Sequence, residues 1–484
     1  MLDISNLTIK HLSKLITSRE ISCLDVVNAT IEKIEKLNPK LNAFITILNE
    51  SAKREAKHAD SLIKQGKYLG PLHGIPISLK DLIYIKGVRS TSGSKILTDF
   101  VPDYDSTITR KLRTAGAIIV GTNNLHEFAS GITSINPHYG PSRNPWDIAR
   151  MSGGSSGGSA AAVSSRMSFA SIGTDTSGSI RVPASLCGIF GLKPTYGRVS
   201  KHGVMPLAPS IDHVGPLARS AWDIAALLQV IAGYDKMDPS SVKVLVPDYL
   251  KEISSSSDRR NDNHGNSSRK FKIGVPKQFF FDIIEPKVME IFREFVDRLQ
   301  GCGITTTASN VDVEGTDKIF DTWRPIRLAE SAATHSKWMV SRHQEYGEDV
   351  IKMLERGQEI TAVEYINALH KWRHKIKNAF LKAISEYDAL LVPTTIIPAP
   401  FLDQMEVNIE GKTREVYSSL SRLTTVFDIT GLPALNIPAG LVDSKLPVGV
   451  QLVGRPFDEA RILKIAYAYE YHSNLFEQFT TPIA

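Results

Sequence analysis

Over the first 65 residues, apolar positions recur with a helical period. Leu24, Val27, Ile31 and Ile34 fall at spacings of three and four, which lines one face of an amphipathic helix. The segment to about residue 65 is therefore expected to be helical throughout. The pattern then changes to short apolar runs bounded by glycine and proline, GIPISLKDL (74–82) and GAIIVGTNN (116–124), which read as buried strands feeding loops. Further strand-like runs are KFKIGVPK (270–277), ALLVPTT (389–395), ALNIPAG (434–440) and PVGVQLVG (447–454). A helix from Pro286 to Gln300 places Val288, Phe292, Phe295 and Leu299 on one face, and another runs from about Phe457 to His472. The polar tract at 252–270 is too poor in apolar residues to bury anything and reads as a flexible surface insertion. There is no internal repeat. Strands alternating with helices over this length predict an α/β fold with a largely buried mixed sheet.

Composition narrows the class. The chain has 484 residues, 42% hydrophobic and 22% charged, as a soluble globular protein does. No apolar run is long enough to cross a bilayer, and the opening MLDISNLTIKHLSKL carries charges where a signal peptide needs an apolar stretch. A cytoplasmic location and no membrane partner are expected. Cys23, Cys187 and Cys302 lie far apart, which indicates reduced core thiols rather than a disulfide framework. A net charge of +6 spread over the whole length is no nucleic-acid footprint.

Several glycine- and serine-rich motifs compete. GGSSGGSAAA (153–162) has the glycine separation of a phosphate loop, but Ser159 stands where the lysine belongs. It also contains G-x-S-x-G through Ser155 and again through Ser156, yet the preceding NPWDIARMS reads as a polar loop, whereas a nucleophile elbow needs a strand. S-x-x-K at Ser92–Lys95 lacks its companion motifs. His370 and His374 sit among lysines and arginines that would repel a metal ion, so no metal and no cofactor is expected. Lys80 is open to two readings: a surface lysine paired with Asp81, or a desolvated base at the end of a buried strand. In GTDTSGSIR (173–181), successive backbone N–H groups from Thr176 through Ser179 are placed to converge as an oxyanion hole with a serine nucleophile at its end. The same residues also fit a helix N-cap with Asp175 and Arg181 pairing nearby.

Taken together and in this order, GIPISLKD, GGSSGGSAAA and GTDTSGSIRVPA resemble the amidase signature family of serine amide hydrolases. LNPKLNAFIT (37–46), GTNNLHEFA (121–129), NPWD (144–147), GLKPTYGRVS (191–200), DHVGPLARS (212–220), GLPALNIPAG and LPVGVQLVGRPFDEA (431–460) extend the resemblance over nearly the whole chain. It implies one α/β/α domain over residues 1–484 on a large twisted mixed sheet. Within it lie a helical segment to residue 65, a catalytic core over 66–235, the insertion, and the remainder from 271. The resemblance further implies Ser179 as nucleophile, Ser155 as a bridging serine on a cis peptide after Gly154, and Lys80 as base. The amides of Thr176, Ser177, Gly178 and Ser179 would form the oxyanion hole, with Gly154, Asp175 and Arg181 in structural roles. Asn123, Glu127, Ser130 and Gly131 are the expected substrate contacts. Ser177 replaces the family's usual glycine, so a positive φ there would be strained.

Two functions fit this resemblance. One is a free amidase acting on a small amide, with a homodimer as a plausible assembly. The other is the glutaminase component of a tRNA-dependent amidotransferase, which supplies ammonia to a partner protein and would bring nucleic acid into reach. Such glutaminases hold glutamine with an arginine and an aspartate. Here GEDVIKMLERG (347–357) offers only Arg356 near the first position, and Ser421 occupies the approximate place of the second, with Asp428 closer to the glycine. FDITGLPA looks more like free amidases, and a pocket without paired charges favours a neutral or apolar amide. A third reading, a scaffold without catalysis, is disfavoured by the presence of the lysine and both serines.

Overall fold

The computed structural model describes residues 4–254, 271–276, 279–302, 304–311, 313–473 and 479. The first long helix, Cys23–Leu41, begins at a capping box in which Ser22 and Asp25 satisfy each other's backbone amides. Val27, Ile31 and Ile34 are buried along it, whereas Leu24 is only partly covered. The expected all-helical start is interrupted: after Asn42 turns the chain at φ 50°, Phe44–Ile47 forms a strand. Aromatic and β-branched residues in FITI prefer the pleated conformation, and pairing with Ile118–Asn123 supplies the ladder.

That strand, β1, begins an eleven-stranded sheet. The others are β2 (Pro76–Lys80), β3 (Ile118–Asn123), β4 (Ala170–Asp175), β5 (Phe190–Lys193), β6 (His213–Ala218), β7 (Lys272–Pro276), β8 (Thr305–Val311), β9 (Ala389–Pro393), β10 (Ala434–Val442) and β11 (Leu446–Val453). Their order across the sheet is β1-β3-β2-β4-β6-β5-β10-β11-β9-β7-β8. Parallel pairs such as β2 with β3 and β4 adjoin antiparallel ones such as β10 with β11, so the sheet is mixed as expected. NPWDIARMS, read as a polar loop, instead supplies a two-stranded ribbon, Arg143–Asn144 with Asp147–Met151. The tract at 252–270 ends the helix Tyr249–Ser254 and otherwise lies outside the described residues.

Successive side chains on a strand point to opposite faces, and the core divides accordingly. Leu391, Leu435 and Leu452 join a cluster with the helices Cys23–Leu41, Ala221–Ile231, Pro286–Gly301 and Glu459–Ser473. Their neighbours Leu390, Ala434 and Val453 join a second cluster with Ile319–Ser341, Arg373–Ile384 and Thr425–Thr430. Helices therefore cover both faces, an α/β/α arrangement. No helix among the described residues is long and apolar enough to cross a membrane.

One ionic cluster fastens two segments far apart in sequence together inside this structure. Arg181 is fully buried and donates from Nε and Nη2 to Asp175 at 3.0 Å each, from Nη2 to Asp428 at 2.7 Å, and from Nη1 to the Thr424 carbonyl at 3.0 Å and Gln451 Oε1 at 2.9 Å. Burial alone would raise the Asp175 carboxyl, yet the Arg181 charge and hydrogen bonds hold it well below the usual range. Asp428 goes the other way: burial and the neighbouring Asp175 charge push it well above. Asp175 is thus the ionised partner. Removing one member of a buried pair strands the other's charge in a dry site. Arg181→Met is expected to cost about 3–5 kcal/mol of stability, read as a lowered denaturant midpoint.

Candidate active site

The carboxyl ends of three adjacent parallel strands, β2, β3 and β4, bring Lys80, Asn123 and Asp175 to one edge of the sheet. Loops at such ends are where α/β folds place ligands. Lys80 is completely buried, so the surface reading fails. Its neighbour Asp81 points to the other side of the strand, where it accepts hydrogen bonds from the Thr91 amide and hydroxyl.

Lys80 Nζ donates to Ser155 Oγ at 2.7 Å and to Thr174 Oγ1 at 2.8 Å. Burial lowers its pKa to about 7 against the opposing pull of Asp175 and Asp212. An ammonium at this value is neutral in a large fraction of molecules at physiological pH and can accept a proton. Lys193 is also brought to about 7 by burial, but its Nζ donates to the Pro194 carbonyl at 3.1 Å.

Ser155 follows a cis peptide at Gly154 and precedes the helix Gly157–Ser164. Its carbonyl accepts from the His126 amide and from Ser134 Oγ, both at 3.2 Å, which fixes the loop from behind. Glycine is required here by close approach: a Cβ on Gly154 would fall 2.7 Å from the Ser134 amide, and one on Gly158 2.3 Å from the Asn124 carbonyl. The Ser156 amide donates to the Ser179 carbonyl at 3.2 Å, tying this loop to the turn after β4. Lys80, Ser155 and the Ser179 segment are therefore brought together from three separate stretches of sequence.

In that turn the Gly178 amide donates to Asp175 Oδ1 at 2.5 Å. Of the amides expected to form the oxyanion hole, that of Gly178 is engaged by a carboxylate of the protein itself. Gly178 itself has φ 117°, and a Cβ there would lie 2.2 Å from Thr424 Oγ1. Ser177 is outside the positive-φ region, so its side chain brings no backbone strain. Its carbonyl accepts from Thr424 Oγ1 at 2.6 Å and its hydroxyl from the Trp323 indole at 3.0 Å.

The expected substrate contacts divide. Asn123 is buried, its Oδ1 accepting from Ser171 and Ser159 and its Nδ2 donating to Ala43. Glu127 is buried and accepts from Ser94, His138 and the Gly347 amide. Both side chains are engaged by the protein in this way, and neither residue lines a described cavity. Gly131 packs on the His126 ring, 2.1 Å from where a Cβ would sit. Ser130 does reach a cavity of about 820 Å³, with Trp323, Arg327, Met353, Tyr417 and Ser421 in its wall. A second cavity, of about 550 Å³, approaches from the side of Thr174 and Thr176.

Thr174, Trp323 and Arg327 were not singled out by sequence reasoning. Trp323, Arg327, Ser331 and His335 are all buried on the helix Ile319–Ser341 at spacings of four, a signal that mixes polar with apolar residues and so escapes a search for an apolar stripe.

Residues 25–463 match the amidase family. A component of glutamyl-tRNA(Gln) amidotransferase from Geobacter sp. (strain M21) is 37% identical over 97% of this chain and 98% of its own. The structure of the corresponding glutamyl-tRNA(Gln) amidotransferase component from Thermotoga maritima has a TM-score of 0.78 and 33% identity, covering 97% of this chain and 95% of that one. An inhibitor-bound structure from a vestigial complex that bears on the evolutionary origins of an s-triazine catabolic enzyme superposes with a TM-score of 0.88 at 30% identity, covering 97% and 99%. With matches of this extent, and with a lysine and two serines gathered at the strand ends, the chain belongs to the amidase family of enzymes that hydrolyse carbon–nitrogen bonds of amides.

Proposed function

We propose that the chain cleaves a small amide through an acyl-enzyme on Ser179, acting as the glutamine-hydrolysing component of a tRNA-dependent amidotransferase. The observation that carries the chemistry is the contact between a buried, easily deprotonated Lys80 and Ser155. Neutral Lys80 takes a proton from Ser155, which takes one from Ser179 as its oxygen attacks the amide carbon. The amides of Thr176, Ser177 and Ser179 hold the oxyanion, with Gly178 held by Asp175. The relay then runs in reverse to protonate the departing nitrogen, and water releases the acid. The assignment to an amidotransferase rests on 37% identity over 97% of the chain, and it displaces the sequence-based preference for a free amidase.

One observation favours the free amidase as a second reading. Ser421, in the approximate place of the glutamine-holding aspartate, is buried on the cavity wall and donates to the Tyr417 carbonyl at 3.0 Å. No carboxylate stands at that point to meet an α-ammonium group.

Ser179→Ala is expected to abolish turnover and Lys80→Met to reduce it by about 100-fold or more, since general-base catalysis contributes on that scale. For the unaltered enzyme, kcat/KM is expected to rise as pH is raised through about 7 and then level off, because the lysine acts in its unprotonated form. A flat profile between pH 6 and 9 argues against Lys80 as the base. Membership of an amidotransferase is tested by ammonia release from glutamine, butanamide and benzamide, with the chain alone and with the other amidotransferase components and glutamyl-tRNA. Glutamine turnover that increases in the complex is expected; rapid turnover of the neutral amides with none of glutamine selects the free amidase.

A further inference from the structure

Of the charged side chains on the larger cavity, only Arg327 is buried, at 4% exposure. Arg324 and Arg356 on the same cavity are exposed, as are Glu359, Glu364 and Glu415, so these charges are all in contact with water. Asp349 is exposed and already holds His126 Nε2 at 2.7 Å. Arg327 has no carboxylate partner among the described residues. One of its N–H groups donates to the Ser130 carbonyl, and its planar group lies 5.3 Å over the Trp323 ring and 6.0 Å from the Tyr417 ring. Aromatic faces orient a guanidinium, yet they leave most of its five donors unused. Burying a cation without a counter-charge is costly. Contrast Arg181, which is also buried and is paired with the ionised Asp175 and with Asp428.

The position of Arg327 relates it to the reaction. Trp323 is four residues earlier, one turn along the same helix, and its indole bonds Ser177, two residues from Ser179. A single rigid helix thus touches the oxyanion turn with one side chain and presents a fixed cation roughly 6 Å further along its axis. Trp323 and Arg327 also share the wall of the larger cavity. Ser421 and Tyr417 flank the same volume with a hydroxyl and a phenol.

We propose that Arg327 is a specificity residue that receives a carboxylate of the substrate, so that the enzyme acts on small primary amides carrying an acid group in place of neutral or apolar ones. The guanidinium fork matches a carboxylate in two-point contact, and the anion supplies the missing partner. The inference rests on the amide-hydrolase reading and holds for glutamine or for a free amide acid alike.

The test compares isosteric pairs: glutaramate with pentanamide, and succinamate with butanamide, followed by ammonia release. The unaltered enzyme is expected to favour each acid over its neutral partner in kcat/KM by about 100-fold, the scale of a desolvated charge contact. Arg327→Gln is expected to bring that ratio close to one, and Arg327→Lys to keep part of it, since charge survives while the fork is lost. Binding of glutarate to Ser179→Ala protein, measured by calorimetry with and without Arg327→Gln, gives a readout independent of turnover. An enzyme that hydrolyses all four amides without preference, or an Arg327→Gln variant with an unchanged ratio and glutarate affinity, overturns the carboxylate anchor alone. An enzyme that hydrolyses none of these amides nor glutamine overturns the amidase reading together with it.

Discussion

Arg181 and Asp175 meet in complete burial behind the turn that carries Ser179, and the pair organises everything around it. The carboxylate is not used up by the guanidinium. It also accepts from the amides of Gly178 and Ile180, which bends the chain after β4 into a tight turn. The guanidinium in turn reaches Thr424, Asp428 and Gln451. A backbone shape near residue 178 is thereby set by partners far along the chain, close to its other end. Such a pair adds less to net stability than its contacts suggest, because desolvation offsets much of the attraction; its value lies in fixing one geometry.

Lys80 depends on the same frame. Its position at the end of a central strand, covered on all sides, removes water from the ammonium and lowers its proton affinity. Asp175 lies close enough to oppose that shift, but its charge is already committed to Arg181. The arrangement keeps a cation-forming group near neutrality next to two hydroxyls, Ser155 and Thr174, and the proposed relay needs a base at Ser155 and not an ion pair.

The order of elements and most strands were legible from apolar runs between glycines and prolines, because both faces of this sheet are covered and its strands need no polar alternation. The helix Pro286–Gly301 kept its expected face, with Val288, Phe292, Phe295 and Leu299 buried. The strand Phe44–Ile47 was hidden by its place between two helices and by its short length. At the site, Lys80, Ser155 and Ser179 stood out only as a set, through resemblance, since each has an ordinary structural use. Asn123 and Glu127 could not be sorted from sequence, because a polar residue beside such a motif looks the same whether it faces substrate or closes a loop. Only the hydrogen-bond partners separate the two. Arg327 escaped because whether a buried guanidinium has a carboxylate partner is a property of tertiary structure, which a linear pattern does not carry.

The reach of Arg181 toward Thr424, Asp428 and Gln451 also bears on how the chain becomes active as it is made. Lys80, Ser155 and Ser179 all leave the ribosome well before Thr424, Asp428 and Gln451. Until the final strands arrive, Arg181 lacks its distant partners and the sheet lacks β10 and β11 beside β5. On the proposed relay, a growing chain thus carries Lys80, Ser155 and Ser179 before the frame that aims them, so hydrolysis would wait for β10, β11 and the partners of Arg181.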